Sequence, residues 1–380
     1  MKLTIVGRGT AGLIAASHFR RWSDYEIEII GDPEIPPLTV GEGSVLELPE
    51  LLAEFYNFSH LDMDAVGATQ KHGIHYDGWG ESKDFVHLFL LGVYAIHFDS
   101  SKLREYIESN LPNVTFTDNH IDDIETVDGD FVMDCRGWGW ENENLRVPIE
   151  APINSAVIVD REPVERPTTL AKAMKNCWMF GIPLQHRMSY GYLYNDKFAT
   201  EEEILEEMLE VVGEGSPHRS MWIPSYYTGG QEAGRIIRNG NASHFFEPLE
   251  ATSLWAVDSV NRMAFDVWHP ERQFESVLFS TAYENLLMET EAVINMHYLK
   301  GSVHETEFWN HAKKIAEETM STLPLRYLLT FRAILDKTLK PQARELLLAG
   351  WPIYSIEQNF KGIGVTLEDV ERWMEKTPNR

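Results

Sequence analysis

The first thirty residues carry the clearest alternation of apolar and polar stretches in the chain. Lys2–Val6 is a short, β-branched, apolar run of the kind that becomes a strand buried on both faces. It stops at Gly7-Arg8-Gly9-Thr10-Ala11-Gly12, and residues 13–22 then space Leu, Ile, Ala and Phe at helical intervals. A second strand reads from residues 25–30, Tyr-Glu-Ile-Glu-Ile-Ile. Strand, glycine turn, helix and strand within about thirty residues is the setting in which a GxGxxG turn binds a dinucleotide. Gly7 suits the tight turn, Gly9 lets backbone approach a pyrophosphate, and Gly12 lets helix and strand pack closely. The phosphates would rest on the free N–H groups and positive dipole end of the helix. A glycine turn without a ligand is the plainer alternative. The acid that usually ends the second strand and holds a ribose hydroxyl is missing: Gly31 stands there, with Asp32 one position later.

The pattern beyond this start predicts a helix over 44–58 with Leu46, Leu48, Leu51, Leu52 and Phe55 inward, Pro49 offering an alternative start. Alternation predicts strands at 68–76, 114–117, 121–124, 155–160 and within 178–194, and residues 131–137 read as a strand ending in a glycine turn. Helices are predicted at 101–110 and 200–212, and then at 253–263, 274–298, 305–320, 325–339 and 341–349. β-Branched runs thin out past residue 250. The expected organisation is an α/β nucleotide-binding body over 1–265 followed by a helical C-terminal subdomain over 266–380.

Composition narrows the function classes. With 43% hydrophobic and 24% charged residues over 380 positions, the chain is that of a soluble globular protein with one large or two ordinary cores. A formal net charge of −26 repels nucleic acid and anionic membrane surfaces, so neither is an expected partner. A small anionic substrate would have to be held locally, by N–H dipoles or a buried lysine. Two separated cysteines, Cys135 and Cys177, fit a reducing cytoplasm and argue against a disulfide or a metal site. His72 and His75 near Lys71 do not make a metal set by themselves. Met1 leads straight into the first strand, which predicts no signal peptide, and no apolar run approaches the length of a membrane span.

Three further segments carry chemistry. Asp134-Cys135-Arg136-Gly137 closes a strand with an acid and a glycine, as in two-dinucleotide-fold flavoproteins, which points to FAD rather than NAD. Cys177-Trp178-Met179-Phe180-Gly181-Ile182-Pro183 is a bulky strand ending at a proline, whose ordinary meaning is core packing. Glu247-Pro248-Leu249-Glu250-Ala251-Thr252-Ser253-Leu254 sets two acids around Pro-Leu, just ahead of a helix. There Thr252 or Ser253 is either a plain cap or part of an anion site. The Trp138/Trp140 pair reads as packing.

Taken together these pieces resemble the flavin-dependent halogenases, the tryptophan halogenase family, in order along most of the chain. Gly7 to Gly12 resembles its GxGTAG opening, Val40-Gly41-Glu42 its VGE segment, and Lys71 falls where the family keeps its essential lysine. Asp134 to Gly137 resembles its DxSG strand end, Trp178 to Pro183 its WxWxIP motif, Glu247 to Thr252 its EPLEST segment, and Met296-His297-Tyr298 through Phe308-Trp309 its HY…FW segment. The departures are Gly31, Phe180 for a second tryptophan, Ala251 for serine and Ser253 for glycine. The chain is also shorter, with the substrate-binding insertions reduced.

The resemblance implies an α/β, FAD-binding, two-dinucleotide-fold flavoprotein of flavin monooxygenase type. It would turn reduced FAD, O2 and halide into hypohalous acid that halogenates a small aromatic substrate. It implies that Gly7, Gly9, Thr10, Ala11, Gly12, Val40, Gly41, Glu42, Asp134, Gly137, Pro248 and Leu254 bind the cofactor. Thr252 and Ser253 would bind halide, while Trp178, Phe180, Ile182 and Pro183 line a tunnel. Lys71 would hold the hypohalous acid or become a haloamine, with Glu250 positioning it or accepting the arene proton. FADH2 would come from a separate flavin reductase met transiently in the cytoplasm. A homo-oligomer is compatible with the sequence. A single-component aromatic hydroxylase and a non-catalytic flavin-binding protein are the alternatives.

Overall fold

A computed structural model describes residues 1–35, 40–137, 145–215, 218–229, 231, 234–271, 276–339 and 346–377. The chain forms two compact units, each gathered from separated stretches. The first comprises Met1–Thr69, Ile96–Ile149 and Tyr226–Leu287, and the second Gln70–Ala95, Glu150–Ser225 and Met288–Arg380. Both draw on residues from either side of position 265.

In the first unit β1 (Lys2–Val6) leads through a glycine turn into α1 (Thr10–Trp22) and then β2 (Glu26–Gly31). The order across the sheet is Ile236–Arg238, Phe131–Asp134, β1, β2, Val114–Asp118, all parallel. β1 is central, which is why its four residues Leu3 to Val6 are all buried. In such open parallel sheets ligands bind beyond the carboxyl ends of the strands. Here the register brings Val6, Ile30 and Asp134 level, so three strand ends converge beside the glycine turn. α1 covers the sheet with Leu13, Ile14, Ala15, Ala16 and Phe19 buried. Phe19 packs against Phe265 and Trp268 of the helix Thr252–Trp268, with ring centroids 5.9 and 5.6 Å apart.

In the second unit the sheet is seven-stranded: Arg219–Trp222, Ser155–Arg161, Met188–Tyr194, Cys177–Pro183, Thr169–Met174, Gly73–Asp77, Asp84–Leu88. Thr169–Met174 and Gly73–Asp77 run parallel, and the other neighbours are antiparallel. Helices Glu307–Thr322, Leu325–Leu335, Ile353–Ile363 and Leu367–Lys376 belong to this unit, as does Glu201–Val212, which starts in a capping box of Thr200 and Glu203. Among the described residues no helix is long and apolar enough to cross a membrane.

The parallel sheet, the glycine turn and the helix-rich C-terminal stretch are as the sequence predicts. The strand expected at 68–76 is two strands, Thr69–Lys71 and Gly73–Asp77, broken at His72 because Gly73 adopts φ +158 where a side chain would strike the His87 carbonyl. The strand expected at 121–124 is absent, and a single 3-10 turn at Ile124–Thr126 follows Asp123, whose side chain caps it. Leu346–Leu348 is a strand paired with Trp351–Pro352, not the end of a helix. The rest of the 341–349 prediction, 341–345, and the Trp138/Trp140 pair lie outside the described residues. Two helices went unpredicted, Ile353–Ile363 and Leu367–Lys376.

A methyl group on Gly12 would overlap the carbonyl oxygen of Gly7 and press on Ile5 Cγ2 at 3.3 Å. Gly12→Ala should therefore cost about 1–3 kcal/mol of stability, as overpacking does. Gly9→Ala, with nothing within 4 Å, should melt like the parent, and thermal denaturation of the two variants checks both.

Candidate active site

The turn after β1 is built by backbone contacts. Gly7 sits at φ +120, where any side chain would run into the Cys135 carbonyl. Its N–H donates to Ile30 O at 2.8 Å, and the Cys135 N–H donates to Val6 O at 2.7 Å, so the turn is tied to both neighbouring strand ends. Gly9 caps α1 without any side-chain hydrogen bond, which leaves the first N–H groups, at Thr10, Ala11 and Gly12, facing open space beside Gly9. An uncapped amino end of a thirteen-residue helix, fronted by a glycine with room around it, fits the pyrophosphate of a dinucleotide.

The space where a strand-end acid would stand is filled by another side chain. The Arg8 side chain lies across Gly31, so close that a Cβ there would meet Arg8 Cβ at 2.8 Å. Arg8 is held by Glu108 through two bonds of 3.0 Å, by Asp118 at 3.1 Å and over the Phe116 ring at 4.8 Å. Asp32 is engaged elsewhere, by His120 Nδ1 at 2.6 Å and by the Glu34 N–H at 2.8 Å. The hydrogen bond to His120 holds the Asp32 carboxyl below its ordinary value and raises the imidazole.

Val40 and Ser100 exchange hydrogen bonds, the Ser100 N–H reaching Val40 O and the Val40 N–H reaching Ser100 Oγ, both at 3.2 Å. They fix the short strand Gly41–Gly43 on residues 97–99. Glu42 lies half-buried in it. Burial pushes its carboxyl up to about 7, with the nearby Asp99 charge adding and a hydrogen bond from Ser100 opposing. Asp134 is buried and spends its carboxylate on Arg136, Oδ1 to Nε and Oδ2 to Nη2 at 3.0 Å each. It shapes the turn to Gly137, which sits at φ +82 with open space beside it.

The stretch before the helix Thr252–Trp268 is strained. Glu250 (φ 67) and Ala251 (φ 57) are consecutive left-handed residues, a conformation that costs non-glycine residues about 1–3 kcal/mol each. They turn the chain so that Ala251 caps the helix with no side-chain bond. Thr252 is buried and its Oγ1 has no hydrogen-bond partner among the described residues. A bare helix amino end with an unsatisfied buried hydroxyl is a place for a small anion. Glu250 and Leu254 are buried, while Pro248 and Ser253 are exposed. These residues, like the glycine turn, belong to the first unit.

Lys71 and the Trp178–Pro183 strand belong to the second. Lys71 is 1% exposed, and its ammonium stands 5.7 Å from the centroid of the Phe89 ring. Trp178, Phe180 and Ile182 point to one face of their strand. Facing them on the neighbouring strands are Ala173 and Leu193, then Ala171 and Gly191, then Ser189. Phe180 depends on Gly191, where any Cβ would overlap its ring. Trp178 enters an aromatic cluster with Trp79 at 6.0 Å, and Trp79 in turn meets Trp309 at 5.1 Å and Tyr298 at 5.3 Å. The indole N–H groups of both Trp79 and Trp178 are buried without an acceptor among the described residues. His72 bonds Gln70 and His75 bonds Asp84, and no group of side chains that could hold a metal occurs among the described residues.

The sequence profile of the tryptophan halogenase family matches residues 2–111 and 113–330. The chain belongs to the tryptophan halogenase family. It is a flavin-dependent halogenase by class. Tryptophan 7-halogenase RebH of Lentzea aerocolonigenes is 23% identical over an alignment covering 83% of this chain and 79% of that protein. The structure resembles that of the tryptophan 6-halogenase SttH of Streptomyces toxytricini, with TM-score 0.80, 18% identity, and 99% of this chain and 95% of that one covered. It also resembles BrvH, a flavin-dependent halogenase from Brevundimonas sp. BAL3, with TM-score 0.76, 19% identity and coverage of 98% and 92%. At these identities the structural likeness is one of fold.

For this halogenase, sequence reasoning missed Arg8, Trp79 and Phe89. The alternation Phe85-Val86-His87-Leu88-Phe89 was a usable signal for the last, since it continues a strand into the aromatic that meets Lys71. Glu42 gives the site a pH signature. Its folded carboxyl titrates near 7 against an ordinary 4.5, so the folded state holds a proton that the unfolded chain releases between those values. Stability is then full below about pH 4.5 and falls as pH rises through about 7. Glu42→Gln should flatten that fall, read as melting temperature against pH.

Proposed function

We propose that this halogenase uses reduced FAD, O2 and a halide ion to halogenate a small aromatic substrate, with Lys71 delivering the halogen. The observation that carries the reading is the near-total burial of Lys71 with its ammonium beside an aromatic ring, since a lysine is almost never fully buried unless its charge is engaged. When bound, reduced flavin supplies hypohalous acid from O2 and halide. The amino end of α1 and the Gly7–Gly12 turn bind the pyrophosphate. Val40, Gly41 and Glu42, the Asp134–Gly137 turn, Pro248 and Leu254 complete the cofactor site. The Thr252 hydroxyl with the N–H groups of Thr252 and Ser253 holds the halide, which is how a chain of −26 keeps an anion.

Trp178, Phe180, Ile182 and Pro183 line the passage of the oxidant, supported by the unsatisfied indole N–H groups of Trp79 and Trp178, to which a hypohalous acid oxygen would accept. Lys71 either donates a hydrogen bond to hypohalous acid or reacts with it as the amine. In the second case the neutral amine and hypohalous acid give the N–halogen bond and water, and the arene carbon then takes the halogen while its own proton returns to nitrogen through Glu250. Glu250, a buried carboxylate, takes up the proton lost from the arene. Residues 1–265 act as the FAD-binding body and 266–380 as the substrate side. The reduced flavin arrives from a separate reductase in the cytoplasm.

The test is a mass-spectrometric turnover assay with a flavin reductase, NADH, FAD and catalase, using indoles, phenols and anilines in chloride, bromide and iodide. Lys71→Met should keep flavin binding and lose about 10²–10⁴-fold in halogenated product, the range for a positioned catalytic group. Product that survives in the variant removes Lys71 from the reaction, and oxygenated product without halide makes the protein a hydroxylase. Thr252→Val should raise the halide KM about tenfold, the worth of one hydrogen bond to an ion, and an unchanged KM would move the halide elsewhere.

A further inference from the structure

An acid does stand level with the end of β2, on the neighbouring strand. Gly31 pairs in register with Asp118, the last residue of the parallel strand Val114–Asp118, and the Asn119 N–H donates to Gly31 O at 2.9 Å. Residues level in adjacent strands point to the same face of the sheet, about 4.8 Å apart. Phe116, two positions before Asp118, shares that face. Three separate contacts put Arg8 on it. Its stem lies beside Gly31, its guanidinium lies over the Phe116 ring, and its Nη1 donates to Asp118 Oδ1 at 3.1 Å. Arg8 stands between Gly7 and Gly9, so a residue of the glycine turn itself reaches across β2 and holds the acid of the next strand.

Asp118 is held and yet open. Its side chain is 67% exposed, and only Oδ1 carries a hydrogen bond among the described residues. Glu108 takes Nε and Nη2 of Arg8 at 3.0 Å each, a bidentate contact that fixes the guanidinium plane and leaves Nη1 for Asp118. Asp32, which follows Gly31 directly, differs on both counts. Its side chain is 10% exposed, with Oδ1 taken by the Glu34 N–H and Oδ2 by His120.

We propose that Asp118, positioned by Arg8, accepts a hydrogen bond from a hydroxyl of the adenosine-side ribose of FAD through its unbonded oxygen. The inference rests on the reading of the Gly7–Gly12 turn as the pyrophosphate site. A carboxylate oxygen with a vacant lone pair does at Asp118 what the usual acid does at the end of β2. The acid is displaced by one strand. An arginine near the ribose otherwise accommodates a 2′-phosphate. Here the guanidinium is committed to two carboxylates, so a phosphate would have to displace one of them and then face it as a like charge. The site therefore selects an unphosphorylated ribose.

Calorimetric titration with oxidised FAD, and with its analogue lacking the 2′-hydroxyl of the adenosine ribose, tests this without turnover. FAD should bind about tenfold more tightly than the analogue, the worth of a hydrogen bond to a charged group. In Asp118→Ala that ratio should fall to about one, with the analogue bound at least as tightly as in the parent. A purely structural strand end would instead weaken both ligands alike and keep the ratio. Arg8→Met should lower the ratio as well, because Asp118 loses its anchor. A ratio of one in the parent, or one that survives in Asp118→Ala, overturns the proposal. A ratio lost in Asp118→Ala but intact in Arg8→Met overturns the part given to Arg8. ADP should displace FAD at lower concentration than 2′-phospho-ADP, and the reverse order makes Arg8 a phosphate reader and sinks the assignment of Asp118. Absence of FAD binding removes the pyrophosphate reading and this proposal with it, whereas FAD bound without discrimination leaves that reading standing and removes only the role of Asp118.

Discussion

The first unit depends on a place where backbone meets backbone with no room for a methyl group. The Gly7 carbonyl lies where a Gly12 side chain would be, and the Cys135 carbonyl lies where a Gly7 side chain would be. These two approaches press the start of α1 against the ends of three parallel strands at once. Loosening either would move the helix away from the sheet, and its free N–H groups would no longer converge beyond the strand ends. The aromatic packing of Phe19 on Phe265 and Trp268 secures the far end of the same helix. A contact of a few atoms thus sets where the amino end of α1 lies against the sheet.

The two units meet different electrostatic problems with different materials. The first presents oriented N–H groups at two helix starts, both without side-chain caps, in a chain of strongly negative charge. At physiological ionic strength the net charge is screened beyond about 8 Å, so these short-range dipoles prevail where they act. The left-handed pair Glu250–Ala251 is the conformational cost of leaving the second of these helix starts uncovered. The second unit carries aromatic rings and, among the described residues, the buried amine of Lys71.

What could be read from the sequence was what is local. The GxGxxG turn and its flanking strands are each complete within a few residues, so spacing alone predicts them. The residues 121–124 look like a strand by alternation, but Asp123 bonds its own backbone and turns the chain instead, the usual way an aspartate competes with a ladder. Leu346–Leu348 reads as a helix end from its leucines and is a strand because Trp351 pairs back on it. The burial of Lys71 and the orphaned hydroxyl of Thr252 were not legible. Each is a statement about which side chains from distant segments close over it, and no periodicity records that. Motif resemblance pointed to both positions without giving the physical reason.

Arg8 and Gly31 have a consequence for how the end of the second strand can change over time. With the arginine stem lying 2.8 Å from where a Cβ at position 31 would sit, a side chain introduced there displaces Arg8. Arg8 must first shrink, and doing so strands Glu108 and Asp118, two carboxylates that it now neutralises. A larger residue at position 31 and the present placement of the Arg8 side chain therefore compete for the same space. Descendants of this chain should keep arginine with glycine or exchange both together, and the two positions should vary as a pair.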